Sequence, residues 1–291
     1  MARITEIIAE RRPVFSFEFF PPRTDEGQRN LERAIELLKE DEPDYVSVTY
    51  GAGGTTRERT LEVTSWIKDL GMEAMAHLSC VGEPTAGLIS ILERIDAAGI
   101  ENVLALRGDP PRGQTDWTPH PEGLRYSVEL IRLIRERFDF AIAAACFPEV
   151  HPEAPDRETD LAYAHAKVEA GAGVLITQLF FDNDHYFRFV EDARAIGIDV
   201  PIVPGVMPII NFGQIKTITG MCGATIPPAL ERELERRAED PDAVMQLGVA
   251  FATMQCSQLL EAGAPGIHFY TLNRSPATRA ILAALRGSGA A

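Results

Sequence analysis

Leu104-Ala105-Leu106-Arg107-Gly108-Asp109-Pro110-Pro111 is the stretch on which the fold turns. An apolar run of strand length stops abruptly in a cation, a glycine, a carboxylate and two prolines. Strands buried on both faces of a parallel sheet read as continuous apolar runs, so this one is expected to open into a site at its carboxyl end. Proline fixes φ, so Pro110 and Pro111 would stiffen the loop and hold Asp109 in place.

The chain repeats this plan on either side. In Val14-Phe15-Ser16-Phe17-Glu18-Phe19, alternation puts Ser16 and Glu18 on one face and the three phenylalanines on the other. Tyr45-Val46-Ser47-Val48-Thr49-Tyr50 sets Ser47 and Thr49 against Val46 and Val48. Gly51-Ala52-Gly53-Gly54 frees the backbone to turn, and Thr55-x-x-Glu58 reads as a capping box for a helix through Leu70. Further strands are expected at Glu73 to Ser79, Asn102 to Leu106, Phe140 to Phe147, Val174 to Phe181, Pro201 to Val206 and Gly266 to Leu272. Helices fill the intervals, among them Thr85 to Ala98, Thr159 to Lys167, Tyr186 to Ala195, Asn211 to Thr219, Pro228 to Ala238 and Ala243 to Glu261. The loop from Pro110 to Pro121 is long.

Eight apolar strands, each followed by helix and with no break in composition, read as one α/β domain over residues 1–291, a (β/α)₈ TIM barrel. A short surface helix would precede it, and a small, flexible tail would follow Arg286. A chain of 291 residues suits a fold that needs about 250. The competing doubly wound sheet is weakened by the count of eight and by the lack of GxGxxG after the first strand.

A formal charge of -15 argues against nucleic acid, which needs a basic stripe. In so acidic a chain, individual arginines and lysines become informative. Four scattered cysteines without a CxxC pair read as reduced thiols of a cytoplasmic protein. His77-x-x-Cys80 has no second pair to complete a metal site, and the histidines form no HxH or HExxH set, so no metal is expected. The opening residues lack an apolar signal segment. No uncharged, proline-free run is read as reaching membrane length, with Val200 to Ile215 the closest.

The strand ends collect Glu18, Thr49, His77, Arg107, Asp109, Glu149, His151, Gln178, Tyr270, Asn273 and Arg274. Most have ordinary readings: His77 as a satisfied core histidine, Gln178 as a partner of the next strand, Glu149 and His151 as loop residues between prolines. Glu18 is the hardest to dismiss, because a carboxylate on the inner face of a strand is costly unless paired or working.

Six segments carry a resemblance: Phe17-Glu18-Phe19-Phe20-Pro21-Pro22-Arg23, Ser47-Val48-Thr49-Tyr50-Gly51-Ala52, Ala76-His77-Leu78, Ala105-Leu106-Arg107-Gly108-Asp109, Pro148-Glu149-Val150-His151-Pro152 and Phe269-Tyr270-Thr271-Leu272-Asn273-Arg274. In order, and from about residue 14 to 276, they resemble the methylenetetrahydrofolate reductases. The length is similar to that of the bacterial, single-domain members. The resemblance implies a FAD barrel in which NADH or NADPH reduces the flavin and leaves. Methylenetetrahydrofolate then takes the same face and accepts hydride from flavin N5, a ping-pong scheme.

By the family pattern Glu18 is the general acid that protonates folate N10. Desolvation and the like charge of Asp109 would suit it to that work at neutral pH. Asp109 would sit by the flavin and the pterin and tune the redox potential. Thr49, His77, Leu106, Arg107, Gly108, Tyr126, His151, Asp160 and Lys167 match positions that hold FAD, with Arg107 and Lys167 suited to its pyrophosphate. Gln178 would bond the pterin, Phe212 would cover a stacked ring of folate or nicotinamide, and Arg274 would pair with the folate glutamate. Family members commonly self-associate, so a homo-oligomer is expected.

Three positions depart from the pattern. Phe147 stands where a tyrosine hydroxyl is expected, Tyr163 replaces an amide, and Ala166 takes a position that is basic in a close bacterial relative. Each alters a polar contact near the FAD ribityl or phosphate chain. The competing functions are a flavin-free pterin barrel, such as a methyltransferase or lyase, and a non-catalytic folate-binding module.

Overall fold

The computed structural model describes residues 2–22, 24–50, 57–109 and 119–289. Arg23, the Gly51–Gly54 turn, the Thr55 cap and the Pro110-Pro111 pair lie outside the described residues.

Among the described residues, nine parallel strands form one sheet: β1 (Val14–Phe19), β2 (Tyr45–Val48), β3 (Ala74–Ser79), β4 (Asn102–Leu106), β5 (Ala141–Cys146), β6 (Val174–Thr177), β7 (Ile202–Val203), β8 (Gly205–Val206) and β9 (Gly266–Tyr270). Their order is β7-β6-β5-β4-β3-β2-β1-β9-β8. β7 pairs with β6 and β8 with β9, and only Pro204 separates the two in sequence. They are therefore the halves of one barrel strand, and the sheet closes on itself as a (β/α)₈ barrel. Pro204 has no N–H to give the ladder, but its carbonyl still accepts from the His268 amide at 2.9 Å.

A glycine is required beside that split. A Cβ on Gly205 would lie 2.3 Å from the Thr177 carbonyl oxygen and 2.7 Å from the Tyr270 ring. Tyr270 donates its hydroxyl to that same carbonyl at 2.7 Å, and the Gly205 amide donates to Thr177 Oγ1 at 2.9 Å. Gly205→Ala is expected to cost about 2 kcal/mol by overpacking, read as a lower urea midpoint with an unchanged slope.

Alternation along the strands separates two cores. Phe15, Phe17, Phe19, Val46, Val48, Leu78, Val103, Ile142 and Phe269 pack outward with the helices. Inward, Val14, Tyr45, Met75, Leu104, Ala143, Ile176 and Val203 pack with α1 (Ile4–Glu10). Here the expectation of a surface helix is corrected. Ile4, Ile7 and Ile8 recur at helical spacing and are buried, and the Ile4 amide donates to Asn102 Oδ1 at 2.8 Å. The helix plugs the amino-terminal end of the barrel, leaving the carboxyl end for a site.

Between β1 and β8 run α2 (Asp25–Lys39), α3 (Arg57–Asp69), α4 (Thr85–Ala97), α5 (Ser127–Arg137), α6 (Arg157–Glu169) and α7 (Asn183–Ala195). After β8 come α8 (Phe212–Cys222), α9 (Pro228–Glu235) and α10 (Pro241–Glu261), and α11 (Pro276–Ser288) follows β9. The helix expected from Thr159 starts at Arg157 instead, because Asp156 caps it by accepting from the Thr159 amide. Past Arg286 the described chain stays helical to Ser288 and ends on Gly289 with φ 73°. α8 and α9 form a separate apolar cluster with Leu179, Phe181, Met207, Ile209 and Val244 beside the barrel's carboxyl end.

The reading of uncharged runs overlooked residues 243–260, which lie in α10. This helix is long and apolar enough to cross a membrane by length and composition. It packs against α11, and Gln255 inside it donates to the Phe180 carbonyl at 2.8 Å.

Candidate active site

Glu18 is the last inward residue of β1, and 6% of its surface is exposed. The ladder sets it between Ser47 on β2 and Tyr270 on β9. Two imidazoles face its carboxylate. His268 Nε2 lies 3.3 Å from Oε2, and His77 Nε2 lies 3.5 Å from the same atom. His268 Nδ1 meets Ser16 Oγ at 2.8 Å, and the ring stacks on Tyr45 with Tyr270 against its edge. Partners on both nitrogens fix the His268 ring, which in turn orients the acid.

Sequence reading set Ser16 on the face of Glu18 but missed His268. The signal was present, since Gly266-Ile267-His268-Phe269-Tyr270 alternates and places His268 on the same face as Tyr270.

His77 differs from His268. Burial pushes it down to about 4, with the Glu18 charge opposing and His268 adding. At neutral pH it is an uncharged ring whose buried Nε2, though 3.5 Å from the Glu18 carboxylate, makes no hydrogen bond among the described residues. A buried polar atom of this kind at a barrel mouth fits a ligand that completes its bonding.

A second group gathers between β4 and α6. Arg107 forms a bidentate pair with Glu153 at 2.5 and 2.7 Å, and Asp109, exposed beside it, adds its field. Lys167 donates to the Ala145 carbonyl at 2.7 Å. Burial lowers its pKa, Cys146 and Asp160 oppose, and Arg107 lowers it further. Asp160 accepts from the His151 amide at 3.1 Å, and burial raises its pKa. Burial and then Arg107 lower that of His151. The ring of Phe147 packs edge-on to His151 at 4.5 Å, so this aromatic supports the loop without a hydroxyl. Val150 in the same loop has φ 77°, a conformation costly for a β-branched residue and characteristic of functional segments.

Gly108 has φ 85°, and a Cβ there would come within 2.6 Å of Val81 and 2.7 Å of Ser79. A side chain is therefore excluded at the position next to Arg107. Thr49 follows β2, its amide bonded to the Phe19 carbonyl. Leu106 ends β4 half-buried.

Tyr126 caps the start of α5, 47% exposed, with Arg125 over its ring. Tyr163 is 56% exposed on α6. Gln178 lies one residue past β6 and folds back to accept from the Leu179 amide at 2.9 Å. Phe212 opens α8 with Lys216 5.3 Å from its centroid. Arg274 is exposed and helps line a cavity of about 220 Å³ with Ile210, Tyr270, Thr271, Leu272 and Thr278.

Fold and site define a parallel (β/α)₈ barrel with the buried Glu18 carboxyl at its mouth and a cluster of charged groups around Arg107 and Lys167 beside it. A family model described as methylenetetrahydrofolate reductase matches residues 3–286, and the chain belongs to that family. It is 40% identical over 267 residues to the 5,10-methylenetetrahydrofolate reductase of Escherichia coli, covering 91% of this chain and 88% of that one. It is 39% identical over 292 residues to a maize (Zea mays) protein named methylenetetrahydrofolate reductase (NADH) 1, covering 96% of this chain. The chain spans about half, 49%, of that plant relative's length. The solved structure of an uncharacterized protein from Clostridium thermocellum, which binds two copies of 5-methyl-5,6,7,8-tetrahydrofolic acid, superposes with TM-score 0.67. At 16% identity, over 98% of both chains, that likeness is one of fold.

Proposed function

We propose that the protein reduces 5,10-methylenetetrahydrofolate to 5-methyltetrahydrofolate with NADH or NADPH, in a ping-pong cycle at one mouth of the barrel and with FAD as resident cofactor. The observation that carries the reading is the buried Glu18 carboxyl braced by His268 where the strands open.

The residues present fit FAD. Arg107 and Lys167 are two neighbouring cations suited to a pyrophosphate. His77 Nε2, which makes no hydrogen bond among the described residues, is a bonding partner for a heteroatom. Thr49, Leu106, Tyr126, His151 and Asp160 complete the set. Bound FAD supplies a hydride store between the two substrates.

The protein's own groups do the rest. Glu18 holds a proton for folate N10, where protonation makes the carbon–nitrogen bond easier to open. His268 and Ser16 keep that carboxyl aimed outward. Gln178 binds the pterin once its amide swings from the Leu179 backbone, Phe212 covers the stacked ring, and Arg274 anchors the acidic tail. A cytoplasmic location and self-association belong to the same reading. The names of the plant relatives favour NADH as the donor.

Asp109 would oppose negative charge on the reduced cofactor. Asp109→Asn is therefore expected to raise the flavin midpoint potential by tens of millivolts. A dye-referenced spectroscopic titration reads this directly, and an unchanged potential contradicts the role. The function is tested by purifying the protein with FAD and following NADH oxidation with and without methylenetetrahydrofolate; dependence on both supports it. A flavin-free pterin barrel would give colourless protein with full folate turnover.

A further inference from the structure

Beyond the last rung of the β1–β9 ladder, at Glu18 and Tyr270, the two chains stay joined through side chains. Thr271 Oγ1 donates to the Glu18 carbonyl at 2.6 Å. The Asn273 amide then pairs with both backbone groups of Phe20: the Phe20 N–H donates to Oδ1 at 2.8 Å, and Nδ2 donates to the Phe20 carbonyl at 2.8 Å. An amide side chain here imitates one more rung of sheet.

The backbone contorts to allow it. Leu272 and Asn273 have φ 52° and 57°, two consecutive non-glycine residues in the left-handed region. Such conformations cost on the order of 1 kcal/mol each and persist where the surroundings fix them. The Arg274 amide closes the turn onto the Thr271 carbonyl at 2.9 Å. The peptide carrying Glu18 and Phe20 is thus stapled to the turn that projects Arg274.

We propose that Asn273 is a positioning residue that couples the acidic tail of the substrate, held at Arg274, to the placement of the Glu18 acid. The inference rests on the function proposed above and adds to it. Through the staple, binding energy gained far from the reacting atoms fixes the distance between tail anchor and acid. Energy used in this way raises the maximal rate rather than the affinity.

Asn273→Gly is the decisive variant, because glycine keeps the left-handed backbone while removing both side-chain bonds. Reduced enzyme is mixed with methylenetetrahydrofolate, or with a counterpart lacking the glutamate, and flavin reoxidation is followed by stopped flow. Wild type is expected to lose maximal rate as well as affinity with the truncated substrate. Asn273→Gly is expected to lower the maximal rate for the intact substrate about tenfold, the scale of two net hydrogen bonds, with KM changed less than about threefold. For the truncated substrate, variant and wild type should converge. Asn273→Asp, which keeps the acceptor and loses the donor, should fall between them.

NADH-driven flavin reduction serves as the control, needing neither acid nor tail. An intact-substrate rate within twofold of wild type overturns the coupling, as does a purely KM effect or an equal loss in the NADH half-reaction. A wild-type protein that never reoxidises with the folate overturns the function itself, which separates the two failures.

Discussion

Glu18→Gln is expected to abolish folate reduction while leaving reduction of the flavin by NADH intact. A glutamine has nearly the shape of the acid and can still bond His268, but it has no proton to give N10. General acid catalysis supplies about 10²- to 10⁴-fold, so folate-dependent reoxidation should fall about a thousandfold. The half-reaction with NADH needs no proton on a folate nitrogen and should proceed within a few-fold of wild type. Stopped-flow traces of the two half-reactions separate these effects. A variant that reduces folate at the wild-type rate would remove Glu18 from the mechanism.

The second large effect is on stability. His77 is 4% exposed and is pushed down to about 4 chiefly by burial, against about 6.5 in the unfolded chain. The folded form resists taking up a proton that the unfolded form accepts. Stability is therefore full above about pH 7, falls as pH drops through 6.5, and levels off below about 4. The difference corresponds to about 3 kcal/mol. Glu18, facing the ring, opposes this, and His268 adds to it. Unfolding free energies from urea titrations at pH 7.5 and 4.5 should fall by about 2.5 kcal/mol more in wild type than in His77→Gln. Parallel declines would show that His77 carries no such burden.

Much of this site was legible because strand alternation has a period of two. Ser16 and Glu18 had to share a face opposite three phenylalanines, and His77 followed from the same rule. The seventh strand was less readable, since Pro204 splits it into two pairs of residues serving different neighbours, a consequence of closing the ring. Ile4, Ile7 and Ile8 carried a helical signal that short length and flanking charge obscured.

The rest depends on distant residues meeting. Nothing local in Arg107 announces Glu153 as its partner. Nothing in Thr271-Leu272-Asn273 reveals that side chains take over the ladder where the backbone turns left-handed. His268 shows a different failure: its place on the inner face was readable, but only the register with β1 brings it to Glu18.

One anaerobic experiment bears on the whole account. The protein, purified with FAD, is mixed with NADH and then with methylenetetrahydrofolate while the flavin absorbance is recorded. The account requires the yellow band to bleach in the first mixing and return in the second, with 5-methyltetrahydrofolate formed in step. A protein that takes up no flavin, or whose bleached flavin is not restored by the folate, would contradict it.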